Sequence, residues 1–182
     1  LISIDSFRSN IIRTAIEAGA ALVNDISGGQ LDPLMFETVG ALQVPYIMMH
    51  MRGTPQNMQQ MTDYADVTKA VFTYFSERIQ LAKKHHIKDI ILDLGFGFSK
   101  TKDQNFELLA LLDYFTNLHL PILAGVSRKS MIYKTLNTTA NKALNGTTAL
   151  HMVALQKGVK ILRVHDVKEA MECIKLNEAL QK

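Results

Sequence analysis

The stretch ILDLGFGFSK, residues Ile91–Lys100, joins an apolar run to a glycine-rich turn and places Asp93 at the junction. It does not match the phosphate-binding loop G-x-x-x-x-G-K-[ST], because its glycines and lysine are differently spaced. It also fails the dinucleotide-binding pattern G-x-G-x-x-G, since Lys100 stands where the third glycine is required. A short apolar run bounded by turn residues is typical of a buried strand. The stretch therefore predicts a parallel strand that delivers Asp93 to a binding loop.

The same arrangement recurs along the chain. Five further apolar runs end in polar side chains or lead directly into them: LISID, AALVND, PYIMMH, PILAGV and KILRVH. Segments with helical spacing lie between the runs, at about residues 9–18, 66–85, 106–117, 143–157 and 167–180. Strands that alternate with helices predict an α/β fold with a parallel sheet. Reactive groups at all six strand ends favour a TIM (β/α)8 barrel over an open doubly wound sheet, which binds ligands mainly at one switch point.

The number of units is smaller than a complete barrel requires. Six βα units are two fewer than eight, so we interpret residues 1–182 as a single partial barrel domain that supplies strands 3–8. The chain begins at Leu1 inside a strand-like run. We therefore expect that an N-terminal pair of units is missing, and that this piece alone is catalytically inactive and prone to associate through its open edges.

Composition narrows the class of partner. Of the 182 residues, 47% are hydrophobic and 20% are charged, as in ordinary globular proteins. The net charge of +3 is scattered, which argues against a nucleic-acid surface. No apolar run approaches the ~20 residues of a membrane span, so no membrane partner is expected. The single cysteine, Cys173, cannot form an internal disulfide and is expected to be a buried apolar side chain, which predicts a cytoplasmic protein.

Asp93 is the first candidate binding residue. A carboxylate at the end of a buried strand can accept two hydrogen bonds from a planar ligand edge. Gly95 and Gly97 let a flat ring approach, and Phe96 or Phe98 can stack on it. The alternative is that Asp93 caps its own loop.

Two basic segments are the other candidates. In GVSRKS, Lys129 precedes a helix that is expected to begin at Ser130, and helix N-termini attract anions. In RVHD, Arg163 and His165 are one strand alternation apart, so their side chains are expected to point the same way and to clamp an anion. The alternatives are a solvated Arg-Lys pair in the first segment and a core histidine in the second.

Six segments, taken in order, carry a resemblance to a known family. SIDS, VNDISGG, MHMRGTPQNMQ, ILDLGFGFSK, GVSRKS and RVHDVKEA resemble dihydropteroate synthase, and the match covers nearly all 182 residues. The resemblance implies a (β/α)8-barrel transferase of folate biosynthesis that is a sulfonamide target. Members of the family join 4-aminobenzoate to 6-hydroxymethyl-7,8-dihydropterin diphosphate, giving 7,8-dihydropteroate and diphosphate. Leu94 and Ser99 replace a common proline and a common glycine of the family loop, and we expect the loop to be kept.

The resemblance also implies roles for individual residues. The pterin would be bound by Asp5, Asn24, Ile26, Met48, Asp93, Gly125 and Lys129. Phe98 and Ser130 would border the aminobenzoate, and Arg163 and His165 would bind the diphosphate. Lys129, Arg163 and His165 would be the catalytic residues. No residue of this chain is predicted to bind metal. Mg²⁺ is expected with the diphosphate, its protein ligand lying in the N-terminal part that is expected to be missing. Partners are expected to be these small molecules and a second subunit in a homodimer.

Two other functions remain open at this point. A corrinoid-linked methyltetrahydrofolate methyltransferase shares the pterin-binding barrel plan, although SRKS and RVHD argue against it. A pterin-binding fragment without catalysis is the second alternative, because the family's N-terminal metal ligand and lid loops have no counterpart in this sequence.

Overall fold

The computed structural model describes residues 1–181. They form one six-stranded parallel sheet in the order β1 to β6, so that every strand pairs with the next strand along the chain. A barrel has its strands in sequential order, whereas in a doubly wound sheet the strand order reverses at a switch point. The strands are β1 (Ser3–Asp5), β2 (Leu22–Asp25), β3 (Tyr46–Met49), β4 (Ile90–Asp93), β5 (Ile122–Ala124) and β6 (Ile161–Leu162).

Helices follow the strands and cover the outside of the sheet. The α-helices are α1 (Ser9–Glu17), α2 (Met35–Leu42), α3 (Val67–Lys84), α4 (Lys102–Ala110), α5 (Ser130–Thr135), α6 (Leu144–Gln156) and α7 (Val167–Ala179). Short 3₁₀ helices occupy Met58–Gln60, Leu112–Leu118 and Ala140–Lys142. None of the helices among residues 1–181 is long and apolar enough to span a membrane.

The sequence predicted most of these elements, with two differences. The helix predicted at residues 106–117 starts earlier, because Thr101 and Gln104 form a reciprocal capping box, and it gives way to a 3₁₀ segment after Ala110. Helix α2 was not predicted, because it has eight residues and is buried on most of its surface, so it shows little alternation of polar and apolar positions. Ser130 begins a helix and Cys173 is buried, both as predicted.

The core lies between the sheet and the helices. The two central strands, β3 and β4, are buried almost throughout, which explains their continuous apolar runs. Tyr46, Phe75 and Phe115 are among the largest side chains without solvent exposure in this layer. The outer strands β1 and β6 are only partly buried.

The sheet is strongly curved. Residues of β1, β2, β3, β5 and β6 line a single interior cavity of about 320 Å³, which a flat sheet does not enclose. Arg163, which follows β6, donates a hydrogen bond to Asn24 of β2, 139 positions earlier in the chain. The prediction of about six βα units arranged as part of a barrel is therefore confirmed.

Close packing of α2 on the end of α3 gives a test of this fold. A Cβ on Gly40 would overlap the backbone carbonyl oxygen of His85. We expect Gly40→Ala to lower the free energy of unfolding by about 1–3 kcal/mol, because backbone atoms cannot rotate away as a side chain can. Gly146→Ala is the matched control, since its Cβ would meet only the side-chain ends of Ile132 and Leu136. Denaturant unfolding should place Gly146→Ala within about 1 kcal/mol of wild type, and equal losses for both variants would contradict this packing.

Candidate active site

The loops after five strands meet around a cavity of about 260 Å³, here called the site cavity. It lies at the carboxyl ends of the strands, where barrel enzymes place their chemistry. Its lining residues are Asp5, Ile26, Phe98, Gly125, Ser127, Lys129, Arg163, Val164 and His165. All of these except Ser127 and Val164 are residues that the sequence predicts for the site, so residues from across the chain do come together.

Asp93 lies beside this cavity and is completely removed from solvent. Its Oδ1 accepts a hydrogen bond of 2.8 Å from the Gly95 amide, so it caps its own loop as one interpretation expected. Its Oδ2 lies 2.8 Å from Nη2 of Arg163. The Arg163 Nη1 donates to Oδ1 of Asn24 at 3.2 Å. Arg163 thus contacts Asp93 through one guanidinium nitrogen and Asn24 through the other.

The loop after β4 depends on residues with positive φ. Gly95 has a φ of 67°, and a Cβ there would overlap the carbonyl oxygen of His50. Ser99 has a φ of 46°, a conformation that favours glycine, but its hydroxyl accepts a 2.9 Å hydrogen bond from the Arg52 amide. Leu94 is fully buried. The structure therefore accommodates both departures from the family loop.

Lys129 closes one side of the site cavity. Its Nζ lies 4.7 Å from the centroid of the Phe98 ring, a cation–π contact. Burial and the nearby charge of Arg163 lower the pKa of Lys129. Ser130, the first residue of α5, is half-buried and is not among the residues that line the site cavity. Its predicted contact with aminobenzoate stays a prediction.

His165 is held by one neighbouring hydroxyl. Oγ of Ser127 lies 2.8 Å from Nδ1 of His165 and accepts a 3.2 Å hydrogen bond from its backbone amide. The expected strand alternation is wrong, because β6 ends at Leu162 and both Arg163 and His165 lie beyond it. Both nevertheless line the site cavity: Ser127 holds His165, and contacts with Asp93 and Asn24 hold Arg163.

Several strand-end residues have structural roles. Asp25 is fully buried and accepts four hydrogen bonds, from Ser27 N and Oγ, from Gly29 N and from the Tyr46 hydroxyl, at 2.6–2.8 Å. Arg128 forms a two-point ion pair with Asp166 at 2.7 and 2.8 Å. Met48 is fully buried and does not line the site cavity, so its predicted pterin contact stays a prediction.

Sequence reasoning assigned no role to Lys100, although it lies at the centre of the loop. The side chain is buried, and its Nζ donates to the carbonyl oxygens of Gly95 and Phe98 at 3.0 Å and lies 3.4 Å from that of His50. The available signal was a lysine directly after an otherwise apolar and small-residue motif, FGFS.

The described residues do not offer a protein-bound metal site. Within residues 1–181, no three His, Cys, Asp or Glu side chains are grouped so that they could hold a metal ion. The charged groups at the mouth of the site cavity are mainly cationic and suit an anion.

Fold and site together define a parallel-stranded barrel protein that places a buried carboxylate and several cations around one pocket. The chain belongs to the family of pterin binding enzymes, whose sequence model matches residues 1–165. It is 41% identical over 182 residues to dihydropteroate synthase from Synechocystis sp., covering 98% of this chain and 63% of the relative. It is 39% identical over 180 residues to dihydropteroate synthase from Escherichia coli K12, covering 98% and 64%. The chain thus spans slightly less than two thirds of these relatives.

Solved structures agree with this assignment. A dihydropteroate synthase from Stenotrophomonas maltophilia, with imidazole bound in its active site, superposes with a TM-score of 0.95 at 36% identity. That match covers 99% of this chain and 69% of the other. The Xanthomonas albilineans enzyme with 4-aminobenzoic acid superposes with a TM-score of 0.91 at 34% identity, covering 98% and 64%. These matches confirm the barrel-type fold class.

The Asp25 network gives a test of what shapes the loop after β2. Burial and the Asp25 carboxylate raise the pKa of Tyr46 well above its usual value, so its hydroxyl stays protonated and donates. We expect Tyr46→Phe to lower the free energy of unfolding by about 1.5–3 kcal/mol, the usual contribution of a hydrogen bond to a charged group. Tyr114→Phe, at a half-exposed tyrosine, is the control and should change little. Thermal or denaturant unfolding measures both, and equal stabilities would show that the hydrogen bond contributes nothing.

Proposed function

We propose that the protein is a dihydropteroate synthase, which condenses 4-aminobenzoate with 6-hydroxymethyl-7,8-dihydropterin diphosphate and releases diphosphate. The observation that carries the proposal is the pairing of buried Asp93 with the planar guanidinium of Arg163 at the mouth of the barrel. The similarity to dihydropteroate synthases along nearly the whole chain supports it.

The pterin would occupy the place that Arg163 takes on Asp93. An amino-pyrimidine edge offers two parallel N–H donors, as a guanidinium does, and a carboxylate accepts both. The ring would then lie among Asp5, Asn24, Ile26, Met48, Gly125 and Lys129, with the Lys129 ammonium on its other polar edge. Because the two ligands of Asp93 compete, pterin binding displaces Arg163 from the carboxylate.

The released guanidinium has a second task. Arg163 borders the site cavity together with His165, so the two can bind the diphosphate once Arg163 leaves Asp93. We propose that 4-aminobenzoate binds near Phe98 and Ser130. A structure of the Xanthomonas albilineans relative that contains 4-aminobenzoic acid supports this choice of second substrate.

In the reaction, the bond between the exocyclic carbon of the pterin and the diphosphate oxygen breaks, and the amine nitrogen of aminobenzoate bonds to that carbon. The amine loses a proton, and the electron pair of the broken bond leaves with the diphosphate. Arg163, His165 and Lys129 stabilise the negative charge of the leaving group, and the pocket holds the two reactants in line. The described residues do not supply a metal site, so Mg²⁺ stays a prediction and no step is assigned to it.

We also propose that residues 1–182 belong to one barrel domain, and that the protein is a cytoplasmic homodimer. Turnover tests the central proposal: the purified full-length protein, which contains residues 1–182, should form dihydropteroate and diphosphate from both substrates, measured by chromatography. Pterin binding without product would favour a non-catalytic binding protein, and methyl transfer to a corrinoid would favour the methyltransferase.

One test of this proposal concerns Asp93, the residue that would accept the hydrogen bonds of the pterin. We expect Asp93→Asn to weaken pterin binding by about 10- to 150-fold, because the loss of a charge-assisted hydrogen bond costs roughly 1.5–3 kcal/mol. Asp103→Asn is the matched control, since that side chain is 92% exposed. Calorimetry with a pterin that lacks the diphosphate measures both, and unchanged affinity in Asp93→Asn would remove this residue from the pocket.

Another test separates the two proposed roles of Arg163, which are pairing with Asp93 and binding the diphosphate. In Arg163→Met, we expect the diphosphate substrate to bind about 10-fold more weakly or worse, because a charged partner of the anion is lost. A pterin without diphosphate should bind as well as before or more tightly, because its competitor for Asp93 is gone. Exposed Arg13→Met is the control. Equal losses for the two ligands would show that Arg163 only supports the structure.

A further inference from the structure

The hydrogen-bond partners of the buried Lys100 side chain suit its protonated form. Three backbone carbonyl oxygens, those of Gly95, Phe98 and His50, lie at 3.0, 3.0 and 3.4 Å from its Nζ. An ammonium group has three N–H donors and no acceptor, so the number of partners matches the charged form. A neutral amine would turn its lone pair towards one of these oxygens.

These three carbonyls join two loops of the site. His50 follows β3, whereas Gly95 and Phe98 belong to the loop after β4. The carbonyl oxygen of Gly95 accepts a hydrogen bond from Lys100, and the Gly95 amide donates one to Oδ1 of Asp93. Lys100 therefore fixes the segment that orients Asp93 and carries Phe98.

The charges around Lys100 point to a second role. Asp93, Arg52, Lys129 and His50 surround it, and Asp93 is the only acid among them. Burial lowers the pKa of Lys100 to about 7, while the Asp93 carboxylate opposes the shift. Arg52 is engaged elsewhere, with the carbonyl of Asp63 and over the ring of Tyr64. Burial also lowers the pKa of His50 well below its usual value, so that ring adds no charge.

We propose that Lys100 is a positioning residue that fixes the loop after β4 and supplies a positive charge near the Asp93 carboxylate that stays in place when a pterin displaces Arg163. The inference rests on the proposed function. Arg163 is exchangeable because its side chain is 40% exposed, whereas Lys100 is enclosed by the loop that it holds. A neutral pterin edge brings no charge of its own to replace the guanidinium. Without Lys100, the buried carboxylate would lose the nearby positive charge that no ligand displaces, and a buried charge without compensation is unfavourable. A carboxyl group that carries a proton cannot accept both donors of the pterin.

Two substitutions separate the two parts of this role. Lys100→Met keeps the stem but removes donors and charge, whereas Lys100→Gln keeps two N–H donors without the charge. Binding of a pterin that lacks diphosphate is measured between pH 4 and 8 in wild type and both variants. We expect about 10-fold weaker binding or worse at neutral pH in Lys100→Met, with partial recovery in Lys100→Gln. In both, the pH at which affinity is lost on acidification should rise by on the order of one unit.

Lys102→Met, at a half-exposed lysine two positions away, is the matched control and should behave as wild type. Thermal unfolding checks that each variant is folded, and Lys100→Gln alone decides if Lys100→Met does not fold. Weaker binding with an unshifted acid midpoint would overturn the charge role, and unchanged binding in the variants would overturn the whole inference. Absence of pterin binding by the wild-type protein would overturn both the proposed function and this inference. Pterin binding that is equal in the wild type and the Lys100 variants would overturn this inference alone.

Discussion

A carboxylate that is completely removed from water requires hydrogen bonds or nearby positive charge, and Asp93 is such a group at the centre of the strand ends. Its position is set by β4, a strand that is buried almost throughout, and its two partners come from the following loop and from the end of β6. Gly95 donates from the following loop, and Arg163 reaches across from β6. The loop conformations and the direction of the surrounding side chains follow from the need to neutralise this one charge. A barrel interior makes the requirement strict, because it admits little water to compensate a misplaced group.

The same constraint accounts for the placement of Arg163, whose Nη2 lies 2.8 Å from Oδ2 of Asp93 while its Nη1 donates to Asn24. A ligand that replaces it need not force Asp93, Asn24 or Gly125 into new positions. Such a ligand would exchange the ion pair for its own contacts and would not leave the buried carboxylate without a partner, which limits the energetic cost of binding.

The sequence could predict the fold class because six strands leave apolar runs that end in polar groups. Residues at the ends of these runs do line the site cavity. The sequence could not predict how those groups divide their roles. Asp25 and Asp93 look alike as residues at strand ends, but the turn after β2 satisfies Asp25 completely while Asp93 keeps one oxygen for a partner. Lys100 was missed for a related reason, since its partners are backbone carbonyls and leave no mark in the sequence. The common orientation of Arg163 and His165 was expected from strand alternation, whereas it comes from the Ser127 hydroxyl and the curvature of the sheet.

The reach of Arg163 back to Asn24 also bears on how the protein folds. The contact joins residues 139 positions apart, and contacts of this separation form late because a long stretch of chain must be ordered first. During synthesis, the strands up to β4 are made before Arg163, so until the sixth strand has been added Asp93 lacks its ion pair and has Lys100 as a nearby positive charge. The early sheet therefore buries this carboxylate at a higher cost, which the addition of β6 reduces. Completion of the sheet and completion of the pocket are in this way the same folding event.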